Sequence, residues 1–153
     1  MGAIKEPTAS LYESDFAGWA QQQADALRER RFDEIDYDNL TEEIESMGRQ
    51  QRAELVSRLA VLLAHLLKWD FRADARTKHG RSWLLTIKEQ RGQVLEVIED
   101  NPSLQPFIGE ATARAYRRAA LIAAREAGIA EQEFAPACPY SFDQASSIDW
   151  MPQ

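Results

Sequence analysis

The chain has 153 residues, of which 44% are hydrophobic, 28% charged and 9% aromatic. This composition is typical of a soluble globular protein, and it excludes disorder throughout, collagen-like sequence and low complexity. The length predicts one compact domain over residues 1–153. The formal net charge of −7 argues against default binding to nucleic acid or to anionic lipid.

Helical spacing of apolar residues predicts the N-terminal elements. After a flexible N-terminus over residues 1–9, a capping box from Ser10 to Glu13 begins a first helix at about residues 11–30. Its apolar face is expected to be a single stripe, made of Tyr12, Phe16, Trp19, Ala20, Gln23 and Leu27. A second helix follows, with Asp38 or Asn39 as its N-cap.

The second helix carries two apolar stripes that are offset around its axis. The first consists of Leu40, Ile44 and Met47, and the second of Leu55, Leu59, Leu62 and Leu66. A bend or break near Gly48 and supercoiling of one long helix both account for the offset, and the sequence leaves the two open. Residues 55–69 are apolar around most of the circumference, so they are expected to form the central, most buried helix.

The remaining elements are marked by glycine, proline and capping residues. Residues 73–81 are expected to form a loop containing Gly80, after which Ser82 caps a third helix that ends before Pro102. A fourth helix spans residues 104–127 and stops at Gly128. Residues 130–153 form an extended tail, in which Ser141 begins a short helix packed on the bundle. The predicted fold is all-α, with four main helices, a short C-terminal helix and no β-sheet.

Compartment and membrane association follow from the apolar segments and the cysteine. The N-terminus has no apolar segment of the kind found in signal peptides, and residues 55–69 are too short to span a bilayer. The single cysteine, Cys138, cannot form an internal disulfide, which fits a reducing compartment. We therefore expect a cytoplasmic protein that does not enter a membrane.

Charge is distributed unevenly along the chain. Residues 1–48 contain 4 basic and 12 acidic side chains, whereas residues 49–91 contain 10 basic and 4 acidic ones. The two segments can neutralise each other within the molecule, which is the interpretation we favour. The alternative is a basic binding face over residues 72–91, which would make the protein a nucleic-acid-associated module.

Several short phrases along the chain together resemble one family. They are Leu11-Tyr12-Glu13, Asp15-Phe16, Trp19, Arg31-Phe32-Asp33, Asn39-Leu40, Glu42-Glu43-Ile44-Glu45, Met47-Gly48, His65-Leu66-Leu67-Lys68-Trp69, Arg81-Ser82-Trp83, Thr86-Ile87, Gln90-Arg91, Pro102-Ser103-Leu104 and Cys138-Pro139-Tyr140. The chain resembles the bacterial domain of unknown function, family number 29, over nearly its whole length. The resemblance implies a small helical bacterial protein, and it brings no activity and no catalytic residues with it.

No complete metal or catalytic constellation is present in the sequence. Neither histidine follows a glutamate by three residues, as a ferritin-like di-iron site requires, and we expect no metal and no cofactor. The segment Cys138-Pro139-Tyr140-Ser141 matches the active-site phrase of monothiol glutaredoxins, but it lacks the thioredoxin-like βαβ context. A structural turn is therefore favoured over redox catalysis at Cys138.

Several polar and aromatic residues are nevertheless candidates for a polar groove or a buried pair. They are Glu42, Glu43, Glu45, His65, Lys68, Trp69, Arg81, Ser82, Trp83, Gln90 and Arg91. Gln90 and Arg91 lie at the apolar stripe of the third helix, and a buried guanidinium needs a partner. We predict that Arg91 is buried and paired with one of the three glutamates, while a functional polar groove remains the alternative.

The favoured function is an interaction or regulatory module without catalytic activity, with a homo-oligomer or a protein partner. A nucleic-acid-associated module using residues 72–91 is the alternative. An enzyme or ligand binder with a polar groove at His65, Arg81 and Arg91 is the third hypothesis. The first hypothesis rests on the lack of a complete catalytic constellation in the sequence, and on a chain that is mostly taken up by core-building patterns.

Overall fold

The computed structural model describes residues 8–153, with side chains from residue 11 onward. Six α-helices follow one another in this part of the chain: α1 (Thr8–Ser14), α2 (Phe16–Arg28), α3 (Tyr37–Phe71), α4 (Arg76–Asp100), α5 (Ile108–Ala127) and α6 (Phe142–Ser146). Short 3-10 turns join them at Phe32–Glu34, Ala73–Ala75, Pro102–Phe107 and Glu131–Glu133. The described residues contain no strand, so the all-α prediction with four main helices and a short C-terminal helix is confirmed.

The chain divides into two compact units, residues 1–49 and residues 50–153. In the first unit, the predicted single helix over residues 11–30 is wrong, because Asp15 interrupts it. The Asp15 carboxylate accepts a hydrogen bond from the backbone N–H of Gly18 at 3.0 Å and so caps a new helix, α2. The flexible N-terminus expected over residues 1–9 lies outside the described residues, except for Thr8 and Ala9 at the start of α1.

A buried glutamine holds the connection between α2 and α3. The Gln23 side chain accepts from the backbone N–H of Asp36 at 2.7 Å and donates to the carbonyl oxygen of Glu34 at 3.4 Å. Asp36 in turn accepts from the indole N–H of Trp19 at 3.1 Å, and from the Asn39 side chain at 2.8 Å. These bonds fix the start of α3 at Tyr37, so the N-cap prediction of Asp38 or Asn39 is wrong and both residues lie inside the helix.

Helix α3 is continuous through Gly48, so the break considered at that position is absent. In the second unit, its residues from Leu55 to Leu67 form the centre of the core, as predicted. Residues from α4, the Pro102–Phe107 turn, α5 and the tail complete the core, including Ile87, Val94, Leu104, Ala111, Ala115, Tyr116, Ala119, Ala123, Phe134, Tyr140 and Ala145. The small alanines of α5 allow close helix approach, and Gly128 ends α5 with a positive φ of 65°.

The predicted loop over residues 73–81 is wrong. A 3-10 turn covers Ala73–Ala75, and α4 begins at Arg76 rather than at Ser82. Gly80 lies inside α4, where a Cβ atom would meet the Trp69 ring at 3.4 Å. The glycine therefore serves close packing between α4 and the end of α3, and it does not mark a turn.

Candidate binding sites

The three candidate glutamates of α3 make their hydrogen bonds and ion pairs with residues of the first unit. The Tyr12 hydroxyl donates to Glu43 Oε1 at 2.5 Å, and this bond raises the pKa of Tyr12. Arg49 donates to Glu42 at 2.6 Å and lies 3.9 Å from Glu45. The acidic cluster is thus a partly neutralised helix surface rather than the counter-charge of a distant cation.

Arg91 is buried, with 4% of its surface exposed, but its predicted pairing with a glutamate is wrong. Its Nε donates to the carbonyl oxygen of Ala145 at 2.8 Å, Nη1 to that of Ile148 at 3.2 Å, and Nη2 to that of Trp150 at 2.5 Å. Burial lowers the pKa of Arg91, and the nearby charge of Asp149 opposes that shift. The guanidinium therefore attaches the tail to α4. Its acceptors are backbone carbonyl oxygens in the last turn of α6 and in the residues that follow it, where helix geometry provides no intrahelical donor.

An apolar groove of about 480 Å³ lies beside Arg91, between α4 and the tail. Its lining residues are Leu84, Ile87, Lys88, Arg91, Gly92, Leu95, Ile148 and Met151. Lys88 and Arg91 are the two charged residues in this set, and both are cations. Leu84, Leu95 and Ile148 are exposed, which is an unusual concentration of large apolar side chains at one place on a surface.

A second cluster links His65, Lys68 and Glu126. His65 Nδ1 lies 2.8 Å from the carbonyl oxygen of Val61, so Nδ1 carries a proton and Nε2 is the acceptor that faces Lys68 Nζ at 3.3 Å. Lys68 is buried and donates to Glu126 Oε2 at 2.8 Å. Burial lowers the pKa of His65, whereas the hydrogen bond from Lys68 lowers that of Glu126.

The two candidate tryptophans contact other residues of the second unit. The Arg76 guanidinium lies 4.6 Å from the centre of the Trp69 ring, and its Nε donates to the Trp69 carbonyl oxygen at 2.9 Å. Lys68 Nζ lies 5.8 Å from the centre of the Trp83 ring, on which His79 stacks at 5.7 Å. Neither ring is a free stacking platform of the kind that single-stranded nucleic acid uses.

The other candidates on α4 are not drawn into one polar groove. Arg81 and Ser82 are exposed, and within the described residues no hydrogen bond joins either of them to His65. Gln90 is buried, and its Oε1 has no hydrogen-bond partner in the described part of the chain. His65 and Arg91 belong to separate hydrogen-bond networks, one reaching α5 and the other the tail.

Cys138 lines a further cavity of about 390 Å³ between α5 and the tail. Burial raises the pKa of its thiol, whereas a redox thiol at a helix start needs a lowered pKa. Ser141 caps α6 with a full capping box, as predicted, and the Tyr140 hydroxyl donates to Asp70 at 2.7 Å. The segment therefore has the character of a structural turn.

In residues 8–153, no group of three or more His, Cys, Asp or Glu side chains is placed to hold a metal ion. Among the helices described, none combines the length and the apolar character needed to cross a bilayer.

Glu126 and the groove residues Lys88, Leu95, Ile148 and Met151 were not identified from the sequence. Glu126 lies 58 positions from Lys68, so their proximity depends on packing of α5 against α3. Ile148 is 73% exposed, but the tail also contains Phe134, Tyr140, Phe142, Trp150 and Met151. Its exposure therefore could not be read from the sequence pattern.

Comparison with known proteins gives one family match. The family described as "Domain of unknown function DUF29" matches residues 11–151. Neither the curated proteins nor the solved structures contain a match.

Proposed function

The chain belongs to the DUF29 family, whose function is unknown, and we propose that it is a non-catalytic interaction module of the bacterial cytoplasm. Its first unit binds a basic amphipathic helix of a partner protein. The lone thiol, Cys138, and the bacterial resemblance support this compartment. We also propose that residues 1–153 act as a single domain.

The observation that carries this proposal is an exposed apolar stripe on α3. Ile44 and Met47 are 61% and 64% exposed, although the sequence places them on one helix face with Leu40. Phe16 is 51% exposed and packs its ring 5.7 Å from that of Tyr12, which bonds to Glu43 beside the stripe. Large apolar side chains left together on a helix surface are typical of helix-in-groove recognition.

The charge around the stripe selects the partner. Residues 1–49 contain 12 acidic and 5 basic side chains, and Glu42, Glu43 and Glu45 border Ile44 directly. Electrostatic complementarity favours a basic partner, and it opposes the pairing of two such acidic surfaces. Apolar contact with Ile44 and Met47 then supplies affinity, while the acidic border supplies orientation and speed of association.

The experiment uses two synthetic helical peptides, one of leucine and lysine and one of leucine and glutamate. We expect the lysine peptide to bind the full chain, with a salt-dependent affinity, and the glutamate peptide to bind at least tenfold more weakly. The double variant Ile44→Ser/Met47→Ser should lose binding. Leu121→Ser, which removes an equally exposed apolar side chain from the second unit, is the matched control.

Two results would contradict the proposal. Equal binding of the lysine peptide to the double variant and to Leu121→Ser would show that the stripe is not the docking surface. The second contradicting result would come from light scattering. If the unmodified chain were a dimer and the double variant a monomer, the stripe would be occupied by a second copy of the chain rather than by a basic partner helix.

A further inference from the structure

The groove beside Arg91 has the dimensions and surface chemistry of a small-molecule site. One wall is α4, with Leu84, Ile87 and Leu95, and the other is the tail, with Ile148 and Met151. Its volume of about 480 Å³ lies within the range of ligand sites in proteins. Hydrocarbon is the chemistry that these walls can bury.

The polar side of the groove is entirely cationic. Arg91 uses three of its five N–H groups on tail carbonyls, and in the described residues none of its hydrogen bonds goes to a carboxylate. Lys88 lies three residues earlier on α4 and is exposed. Asp149 is exposed, and its charge opposes the lowering of the Arg91 pKa that burial causes, without a hydrogen bond between the two side chains. A buried cation without a hydrogen-bonded counter-ion favours an incoming anion.

From these features we propose that the groove binds a free carboxylate amphiphile of the fatty-acid class. The hydrocarbon chain lies along Leu84, Leu95 and Ile148, and the carboxylate lies near Lys88 and Arg91. A single negative charge fits better than the double charge of a phosphate, because the Asp149 carboxylate repels additional negative charge. This site belongs to the second unit and is independent of the α3 stripe.

Occupancy of the groove strengthens the attachment of the tail. A ligand that touches both α4 and residues 148–151 binds only when these segments are together, so it stabilises their association by mass action. We expect hydrogen exchange at the backbone amides around Ala145 to slow when the ligand is present. The groove thereby links the concentration of an amphiphile to the exposure of the tail.

The decisive variant is Gly92→Leu, which fills the groove. A Cβ atom at Gly92 meets no other atom within 4 Å, and leucine is a better helix former than glycine, so this variant is expected to fold. Gly48→Leu is the matched control, because Gly48 is also in a helix, with equal space, outside the groove. Calorimetric titration uses decanoate, laurate and palmitate below their micellar concentrations, with dodecanol as the uncharged comparison.

We expect laurate to bind the unmodified chain and Gly48→Leu equally, and to bind Gly92→Leu at least tenfold more weakly. Lys88→Gln should weaken laurate binding several-fold and leave dodecanol binding unchanged. Equal laurate affinity for Gly92→Leu and Gly48→Leu would overturn the site. Dodecanol binding as tight as that of laurate would overturn the role of the cations, and the absence of laurate binding to the unmodified chain would overturn the proposal as a whole.

Discussion

The two units use similar helical patterns for different purposes. In the second unit, the α3 stripe that contains Leu59 and Leu62 is completely buried and forms the centre of the core. In the first unit, the α3 stripe that contains Ile44 and Met47 is exposed, and the largest buried side chain is that of Trp19. Apolar residues at helical spacing therefore predict a helix in both cases, but they predict a core only where other elements supply a second face.

Truncation of one residue from each stripe tests this contrast most strongly. Leu62→Ala leaves a cavity in the core and should lower the free energy of unfolding by about 2–5 kcal/mol. Ile44→Ala removes a mostly exposed side chain and should change it by about 0.5 kcal/mol or less. Urea denaturation of both variants measures the difference. A loss above about 2 kcal/mol for Ile44→Ala would show that its stripe is buried in solution, which would end the contrast.

Removal of the Arg91 guanidinium should have the next largest effect. Arg91→Ala loses three hydrogen bonds from a charged group and should lower the free energy of unfolding by about 3 kcal/mol. The loss is limited because the tail can detach locally without global unfolding. Hydrogen exchange at tail amides and urea denaturation measure the local and global parts.

Arg81→Ala is the control for Arg91→Ala, since Arg81 is exposed on the same helix and its loss should cost about 0.5 kcal/mol or less. Arg91→Lys keeps the charge without the planar donor fork and should lie between the two. If Arg91→Ala and Arg81→Ala behaved alike, the tail would be held by its apolar contacts alone.

The smallest expected effect is a loss of stability in mild acid, caused by the protonation of His65 in the unfolded chain. Burial lowers the folded pKa of His65 below the value of about 6.5 in an unfolded chain, so the unfolded chain binds the proton first. Stability is then constant above about pH 6.5 and falls as the pH decreases through the range below it. Thermal denaturation across pH 7 to 5 should show this decrease, and His65→Gln should flatten it.

The lowered pKa of Glu126 predicts a separate loss of stability at lower pH, which begins as the pH falls through the range in which an ordinary glutamate titrates and is complete below the lowered pKa of the folded state. Its sign is the same, because protonation removes the carboxylate that accepts from Lys68. A decrease between pH 7 and 5 that persists unchanged in His65→Gln would assign the first step to another group.

The sequence predicted those parts of the fold that follow from the pattern of buried apolar residues and from helix-capping residues. Four main helices, the capping box at Ser141 and the end of α5 at Gly128 are confirmed, and so is the central position of the segment predicted over residues 55–69, whose residues from Leu55 to Leu67 lie in the core. The errors lie where one residue type serves two structural roles. Asp15 caps a helix in the middle of a continuous apolar pattern, and Gly80 allows close packing where glycine more often marks a turn.

The sites were less predictable for a related physical reason. The burial of Arg91 followed from its place on the α4 stripe, but its acceptors are backbone carbonyls, which every residue carries and which no side-chain pattern identifies. The sequence therefore suggested Glu42, Glu43 and Glu45 as partners of Arg91, because side-chain carboxylates are the acceptors that a sequence shows directly. The groove forms only when the tail packs on α4, and its α4 residues lie between 53 and 67 positions from its tail residues along the chain.

The bonds made by Arg91 also set an order of events during folding. They join residues that are 54, 57 and 59 positions apart, so the intervening chain must be ordered before they form, at the entropic cost of closing a long loop. We expect α3, α4 and α5 to associate first, while the Arg91 guanidinium is still hydrated. The tail then docks last during folding and detaches first during unfolding. A ligand in the groove would therefore lower the rate of tail detachment more than it raises the rate of tail docking.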